Sequence, residues 1–248
     1  MITIFGRAGK KSPIKDIIKK QSPKDFNLYV EPFVGSGAIY LNMDLKDTPA
    51  VINDLDKNLI NGWRAIKSGI TIDENTYNFP SKDKQEKYIN SKKTSGNEIF
   101  IQELIKSLGT FGSTGKGKIY KPISVNNFKN KVRNAKIQKD YMKNTKVFSI
   151  DYKSIIKKFD GVNTYFFLDP PYENSKGLYD KDTMNFNELN NVLKNVKGKF
   201  LLTLNDSPEI RKIFKDFKIL KLKVKGSGQN ESNNIGSGIR NELIIKNY

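Results

Sequence analysis

Apolar and polar positions along the chain alternate in short runs set apart by polar or glycine-bearing stretches. Leu28 to Val30, Ala50 to Asn53, Lys146 to Ile150, Thr164 to Leu168, Phe200 to Leu204, Ile219 to Val224 and Glu242 to Lys246 are rich in β-branched and aromatic residues, which predicts seven strands. One helix is expected over Ala38 to Leu45 and another over Lys57 to Lys67, where Ile60, Trp63, Arg64 and Lys67 recur at helical spacing. Strand, helix, strand, helix implies a parallel sheet. Ser12 before Pro13 and Ser207 before Pro208 mark two further helix starts, because the hydroxyl can cap and a first-turn proline gives up no needed hydrogen bond. Gly226 to Gly238 joins the last two strands without apolar periodicity, which suits an antiparallel return and a sheet that is mixed at one end.

The alternation breaks between Thr71 and Thr145. Asn97 to Leu108 puts Ile101, Leu104, Ile105 and Leu108 on one helical face, and Gly109, Gly112, Gly115 and Gly117 follow. The expected organisation is a core of residues 1–70 and 146–248 with an inserted, largely helical subdomain over residues 71–145. Charge sharpens that boundary. Residues 71–112 hold six Lys against six acids, whereas residues 113–147 hold ten Lys or Arg against one acid. A +9 excess in so short a stretch is half of the formal +18 of the whole 248-residue chain and points to a polyanion-binding segment. Lys supplies 39 of the 44 basic residues, so the overall excess alone would also fit an AT-rich coding bias. Individual lysines such as Lys136, Lys139 and Lys143 can equally lie on a solvated helical face.

Composition removes whole classes of chemistry. The chain has no Cys and no His, which excludes disulfides, thiol nucleophiles, Ser-His-Asp and Cys-His hydrolysis, and nearly every transition-metal site. No metal is expected. Apolar residues at 37% supply a core, while no run approaches a membrane span and the first 25 residues lack a signal-peptide centre, so a cytoplasmic protein is expected. Carboxylates, Lys, Tyr, hydroxyls and backbone groups remain for catalysis.

Two motifs carry chemistry. Glu31-Pro32-Phe33-Val34-Gly35-Ser36-Gly37-Ala38 bends from the first strand towards a helix, and its glycines let backbone pass close under a ligand. A plain strand-to-helix turn would look the same, but the next strand ends in Asn53-Asp54, where a carboxylate can accept from ribose hydroxyls. No third glycine follows, so an adenosine-type ligand without a pyrophosphate fits better than a dinucleotide. The second motif, Asp169-Pro170-Pro171-Tyr172, follows an apolar strand. Two prolines remove two donors and fix φ, leaving acceptors without competing donors. The Asp169 carboxylate and the Pro170 carbonyl could take both hydrogens of an exocyclic aromatic amine, favouring pyramidal nitrogen and freeing its lone pair, while Tyr172 stacks on the ring. A rigid strand exit with a surface Asp is the plainer alternative.

At these residues the chain resembles the DNA adenine methylase (Dam) family of N6-adenine-specific DNA methyltransferases. Ala8-Gly9-Lys10-Lys11, Glu31 to Gly37, Asp54, the basic insertion and Asp169 to Tyr172 occur in the family's order over nearly the whole length. Lys10 stands in place of a second glycine, and Arg7 where an aromatic is common. The resemblance implies an α/β fold, a Rossmann-like core with a mostly parallel seven-stranded sheet, and S-adenosylmethionine (SAM) as cofactor. It implies cofactor contacts from Arg7, Lys11, Phe33, Gly35, Gly37, Asp54, Asp151, Tyr152 and Asp169, and catalysis by Asp169, Pro170 and Tyr172. Gly117 to Pro122 is similar to the family's basic segment near double-stranded DNA, which suggests DNA contacts from Lys116, Lys118, Tyr120, Lys121 and Arg133. Arginine-bearing residues ahead of a Phe-Asn pair are usual in members that read GATC, but Leu108 to Gly112 has neither, so that specificity does not carry over. The expected reaction is methyl transfer to N6 of an adenine extruded from the duplex; the alternatives are RNA adenine, cytosine N4 or a protein amide as acceptor, or an inactive nucleic-acid binding module.

Overall fold

A computed structural model describes residues 2–6, 11, 14–45, 47–75, 78–79, 81–110, 118–171, 184–225 and 239–248. Seven strands form one sheet: β1 (Leu28–Glu31), β2 (Ala50–Asn53), β3 (Thr145–Phe148), β4 (Thr164–Leu168), β5 (Lys199–Asn205), β6 (Lys218–Lys225) and β7 (Ile239–Lys246). Their order is β3-β2-β1-β4-β5-β7-β6. The first five are parallel, and β7 runs antiparallel to both β5 and β6, which is the mixed end that the sequence predicts. The connecting segment Gly226 to Gly238 lies outside the described residues.

Strand residues alternate between two cores. Tyr29, Ile52, Tyr165, Phe167, Leu201 and Ile244 face one, and Val30, Val51, Phe166, Leu168, Phe200, Leu202 and Ile245 face the other. This period of two buries both faces of the central strands, as a sheet covered by helices on both sides requires. Helices α1 (Lys15–Gln21) and α2 (Lys57–Ser68) join the first core, together with α3 (Lys82–Asn90), α4 (Gly96–Gly109) and α5 (Val125–Lys136); α6 (Gln138–Tyr141) leads from these towards β3. Helices α7 (Tyr152–Phe159), α8 (Phe186–Lys194) and α9 (Pro208–Ile213) cover the second. The helices between α2 and β3 share the sheet's own apolar cluster, through Phe100, Leu104, Phe128 and Val132.

Local chemistry sets the helix ends. Asp56 caps α2 by accepting from the N–H groups of Asn58 and Leu59, and Ser95 with Glu98 forms a reciprocal capping box on α4. Ser207 caps α9 with Pro208 in its first turn, as expected, and α1 begins at Lys15, just after Ser12 and Pro13, which lie outside the described residues. The helix expected over Ala38 to Leu45 is only a 3-10 turn, Tyr40–Asn42. Asn42 is the reason. Its side-chain amide donates to the carbonyls of Ala38 (3.0 Å) and Ile2 (2.9 Å), and its backbone N–H turns to Ile39 (2.9 Å), so the pattern of a longer helix is diverted. Strand β3 likewise stops before the expected Ile150, whose N–H and carbonyl both bond the side chain of Asn53.

Candidate active site

The strand order reverses between β1 and β4, and ligands of open α/β sheets bind outside the carboxyl ends at such a point. Both motifs read from the sequence leave the sheet there. The bend after β1 holds Gly35 at φ 47° and Gly37 at φ 66°, the left-handed region that favours glycine. Gly37 answers to packing as well, since a Cβ there would lie 2.6 Å from the Trp63 ring. The Gly35 N–H donates to Asp54 Oδ2 (3.0 Å), the Asp56 N–H donates to Asp54 Oδ1 (3.0 Å), and the Trp63 indole N–H donates to the Gly35 carbonyl (3.3 Å). The carboxylate at the end of β2 is thus aimed at the glycine bend by two backbone donors.

Under the bend lies Glu31, buried at the end of β1 and accepting from the Tyr29 hydroxyl at 2.6 Å. Burial pushes its carboxyl well above the usual range against the Tyr29 hydrogen bond, and the carboxylates of Asp169 and Asp54 push the same way. Asn53 ties the neighbouring loops together: its amide donates to the carbonyls of Pro32 and Ile150, each at 2.9 Å, and its oxygen accepts from the Ile150 N–H at 3.0 Å. That cross-link brings Phe33 and Tyr152 into ring contact, with centroids 5.4 Å apart. Asp151 caps α7 by accepting from the Lys153 N–H at 2.8 Å.

Asp169 leaves β4 partly exposed, with Pro170 buried behind it. Its Oδ1 accepts from the Thr203 hydroxyl at 2.9 Å and lies 2.9 Å from Lys11 Nζ. Lys11, expected as a cofactor contact, is therefore ion-paired to the proposed catalytic carboxylate, and its side chain is only 3% exposed. Glu242 Oε2 approaches the same ammonium at 3.9 Å. Arg7 and Tyr172 lie outside the described residues.

On the helical segment, Lys118, Tyr120 and Lys121 are exposed around a buried Ile119. The N–H groups of Tyr120 and Lys121 both donate to the Gly109 carbonyl, at 2.8 and 3.0 Å, and the Ile119 N–H donates to Glu86 at 3.0 Å, so the segment is docked on the end of α4. Tyr120 is 72% exposed, which is unusual for so large a ring. Arg133 instead pairs with Glu74 at 3.2 Å, beside Lys136 at 2.9 Å. Lys136 first, then Glu74's own backbone and Arg133, hold the Glu74 carboxyl down at about 2. Lys116 lies outside the described residues. Asn53, Thr203 and Glu242 were not read as site residues; the one sequence signal was an acid, Glu242, opening an otherwise apolar strand.

Glycine bend and second-strand carboxylate at the switch point of this sheet define the class: a Rossmann-like α/β protein with a ligand site at its carboxyl edge. The family model described as D12 class N6 adenine-specific DNA methyltransferase matches residues 8–227, and the chain belongs to that family. It is an adenine-specific DNA methyltransferase. It is similar to the type II methyltransferase M1.LlaDCHI of Lactococcus lactis subsp. cremoris, 26% identical over 97% of this chain and 93% of that protein. A second relative is the type II methyltransferase M.CviBI of Paramecium bursaria Chlorella virus NC1A, 22% identical over 91% of this chain and 92% of its own length. Among solved structures, precorrin 8W decarboxylase of Methanobacterium thermoautotrophicum superposes with a TM-score of 0.43 at 12% identity, over 95% of this chain and 89% of that one.

Proposed function

We propose that the chain methylates N6 of an adenine flipped out of double-stranded DNA, with SAM as methyl donor. The observation that carries this reading is the adjacency of β1 and β4, which sets the glycine bend and the Asp169 corner on neighbouring strand ends. A nucleoside cofactor suits the bend, because positive-φ glycines and an Asp54 carboxylate bonded to Gly35 make a backbone cradle with an acceptor beside it. Phe33, Gly35, Gly37, Asp54, Asp151 and Tyr152 would hold the cofactor, together with Arg7 and Lys11. Bound there, SAM supplies a methyl carbon on a positively charged sulfur, and the carbon–sulfur electron pair stays on sulfur when the carbon bonds to N6.

The protein's part is alignment, worth up to roughly 7–11 kcal/mol when the reacting atoms are well placed. Asp169 Oδ2 and the Pro170 carbonyl accept the two amine hydrogens and turn the nitrogen lone pair towards the methyl carbon. As the new bond forms, the nitrogen gains positive charge that the Asp169 carboxylate stabilises, and one proton leaves towards that carboxylate and then water. Tyr172 stacks on the ring. In a paired duplex the amine is engaged, so the base must leave the stack. Residues 71–145 act as the target-recognition subdomain, with Lys116, Lys118, Tyr120 and Lys121 on the DNA side and Arg133, paired to Glu74, contributing little to phosphate binding.

Nucleoside mass spectrometry after incubation with SAM and either duplex DNA or RNA tests the reading. N6-methyladenine formed in duplex DNA is the expected product. N4-methylcytosine, or methyladenine in RNA only, would contradict it.

A further inference from the structure

Two side chains meet at one oxygen of Asp169, and a third lies beside one of them. The register that pairs Leu168 with Leu202 places Thr203 of β5 beside Asp169 as it leaves β4. Strand β7 runs antiparallel, so its early residue Glu242, opposite Asn205, reaches the same carboxyl edge. Lys11 enters just ahead of α1. Lys11 Nζ and the Thr203 hydroxyl both lie 2.9 Å from Asp169 Oδ1, and Glu242 Oε2 lies 3.9 Å from the same ammonium. Thr203, Lys11 and Glu242 are buried, whereas the Asp169 side chain is 21% exposed. Polar groups this deep beneath a partly open carboxylate have one accessible surface to serve.

We propose that Thr203 and Glu242 are positioning residues for methyl transfer, Thr203 by holding the Asp169 carboxylate directly and Glu242 by sharing the charge of Lys11. This rests on the proposed role of Asp169 towards the adenine amine. The terminal torsion of an Asp is broad and roughly two-fold, so an untethered carboxylate samples many directions. Two donors on Oδ1 fix the plane of the group and turn Oδ2 towards the open side. A lysine given wholly to Asp169 would drain the negative field that draws the amine hydrogens; with Glu242 3.9 Å away, the ammonium divides its attraction between two carboxylates. No covalent step passes through either residue.

The test uses the full chain with Thr203→Val, Thr203→Ser and Glu242→Gln. Loss of one hydrogen bond to a charged group predicts that kcat falls about tenfold or more in Thr203→Val, with KM for DNA and SAM affinity by calorimetry within about threefold of wild type. Thr203→Ser keeps the hydroxyl and should restore kcat to near wild type. Glu242→Gln should also lower kcat at unchanged SAM affinity. In the protein without ligands, the Lys11 ammonium signal in NMR should shift in Thr203→Val and in Glu242→Gln but not in Thr203→Ser. Wild-type kcat in Thr203→Val or in Glu242→Gln overturns the proposal, as does a Thr203→Ser enzyme as slow as Thr203→Val. If Thr203→Val fails to fold, Thr203→Ala takes its place with the same expected and contrary outcomes, and Glu242→Gln decides its own part. Wild-type protein that forms no N6-methyladenine would defeat the functional reading itself, whereas an active wild type with unaffected variants defeats only the positioning roles.

Discussion

Glu31 shows how one side chain couples the site to stability. Its carboxyl is pushed up chiefly by burial, so the folded protein holds a proton that the unfolded chain releases near a pKa of about 4.3. The sign follows from linkage: over the interval from about pH 4.3 up to the folded value, the native state binds more protons, and stability falls as pH rises. Glu31→Gln keeps the shape and cannot ionise. Its unfolding temperature relative to wild type should therefore climb as pH is raised from 4 and level off once the native wild-type carboxyl has ionised. Parallel stability curves for the two proteins across that range would contradict the assignment. Glu74 behaves oppositely, since Lys136 and Arg133 keep it ionised; the stability from that pairing is present above about pH 4.3 and lost as pH falls towards about 2.

At the scale of elements, the bend from β1 depends on Trp63 of α2 as much as on its own glycines. Gly37→Ala would place a Cβ 2.6 Å from the indole while holding a left-handed φ of 66°. Strain and overpacking together predict a loss of roughly 2–5 kcal/mol in denaturant unfolding, and SAM binding weakened with it. A Gly37→Ala protein of wild-type stability would refute that account of the bend. All seven strands were legible in the sequence, because runs of β-branched and aromatic residues, or in β6 the alternation of lysines with Ile, Leu and Val, carry their signal locally. The glycine bend, Asp54 and Asp169 were legible for a similar reason: each follows a strand directly. What escaped depended on contacts distant in the chain. The 3-10 turn at Tyr40–Asn42 follows from Asn42 bonding Ile2, forty residues away, and the Lys11, Thr203 and Glu242 cluster joins the chain's beginning to its last strands. No spacing rule reads such pairings. Arg133 illustrates the converse, for its charge was visible but its partner Glu74 was not.

The whole molecule carries a formal charge of +18, unevenly spread, and belongs to a family that acts on DNA. Exposed Lys118 and Lys121 flank Tyr120 on a segment anchored to α4, whereas Arg133 and Lys136 are already matched by Glu74. The first group should therefore dominate phosphate binding. Replacing Lys118 and Lys121 by Gln should reduce the log-log salt slope of DNA affinity by about 1.8, at roughly 0.9 per contact, while Arg133→Gln should change it little. An unchanged slope in the double variant would remove that segment from the DNA interface.

Methyl transfer by Asp169→Ala tests the central claim most directly: duplex DNA is incubated with labelled SAM, and binding of both ligands is measured on the same preparation. Turnover should disappear while SAM and DNA still bind. An Asp169→Ala protein that methylates adenine at near the wild-type rate would contradict the claim that this carboxylate grips the amine.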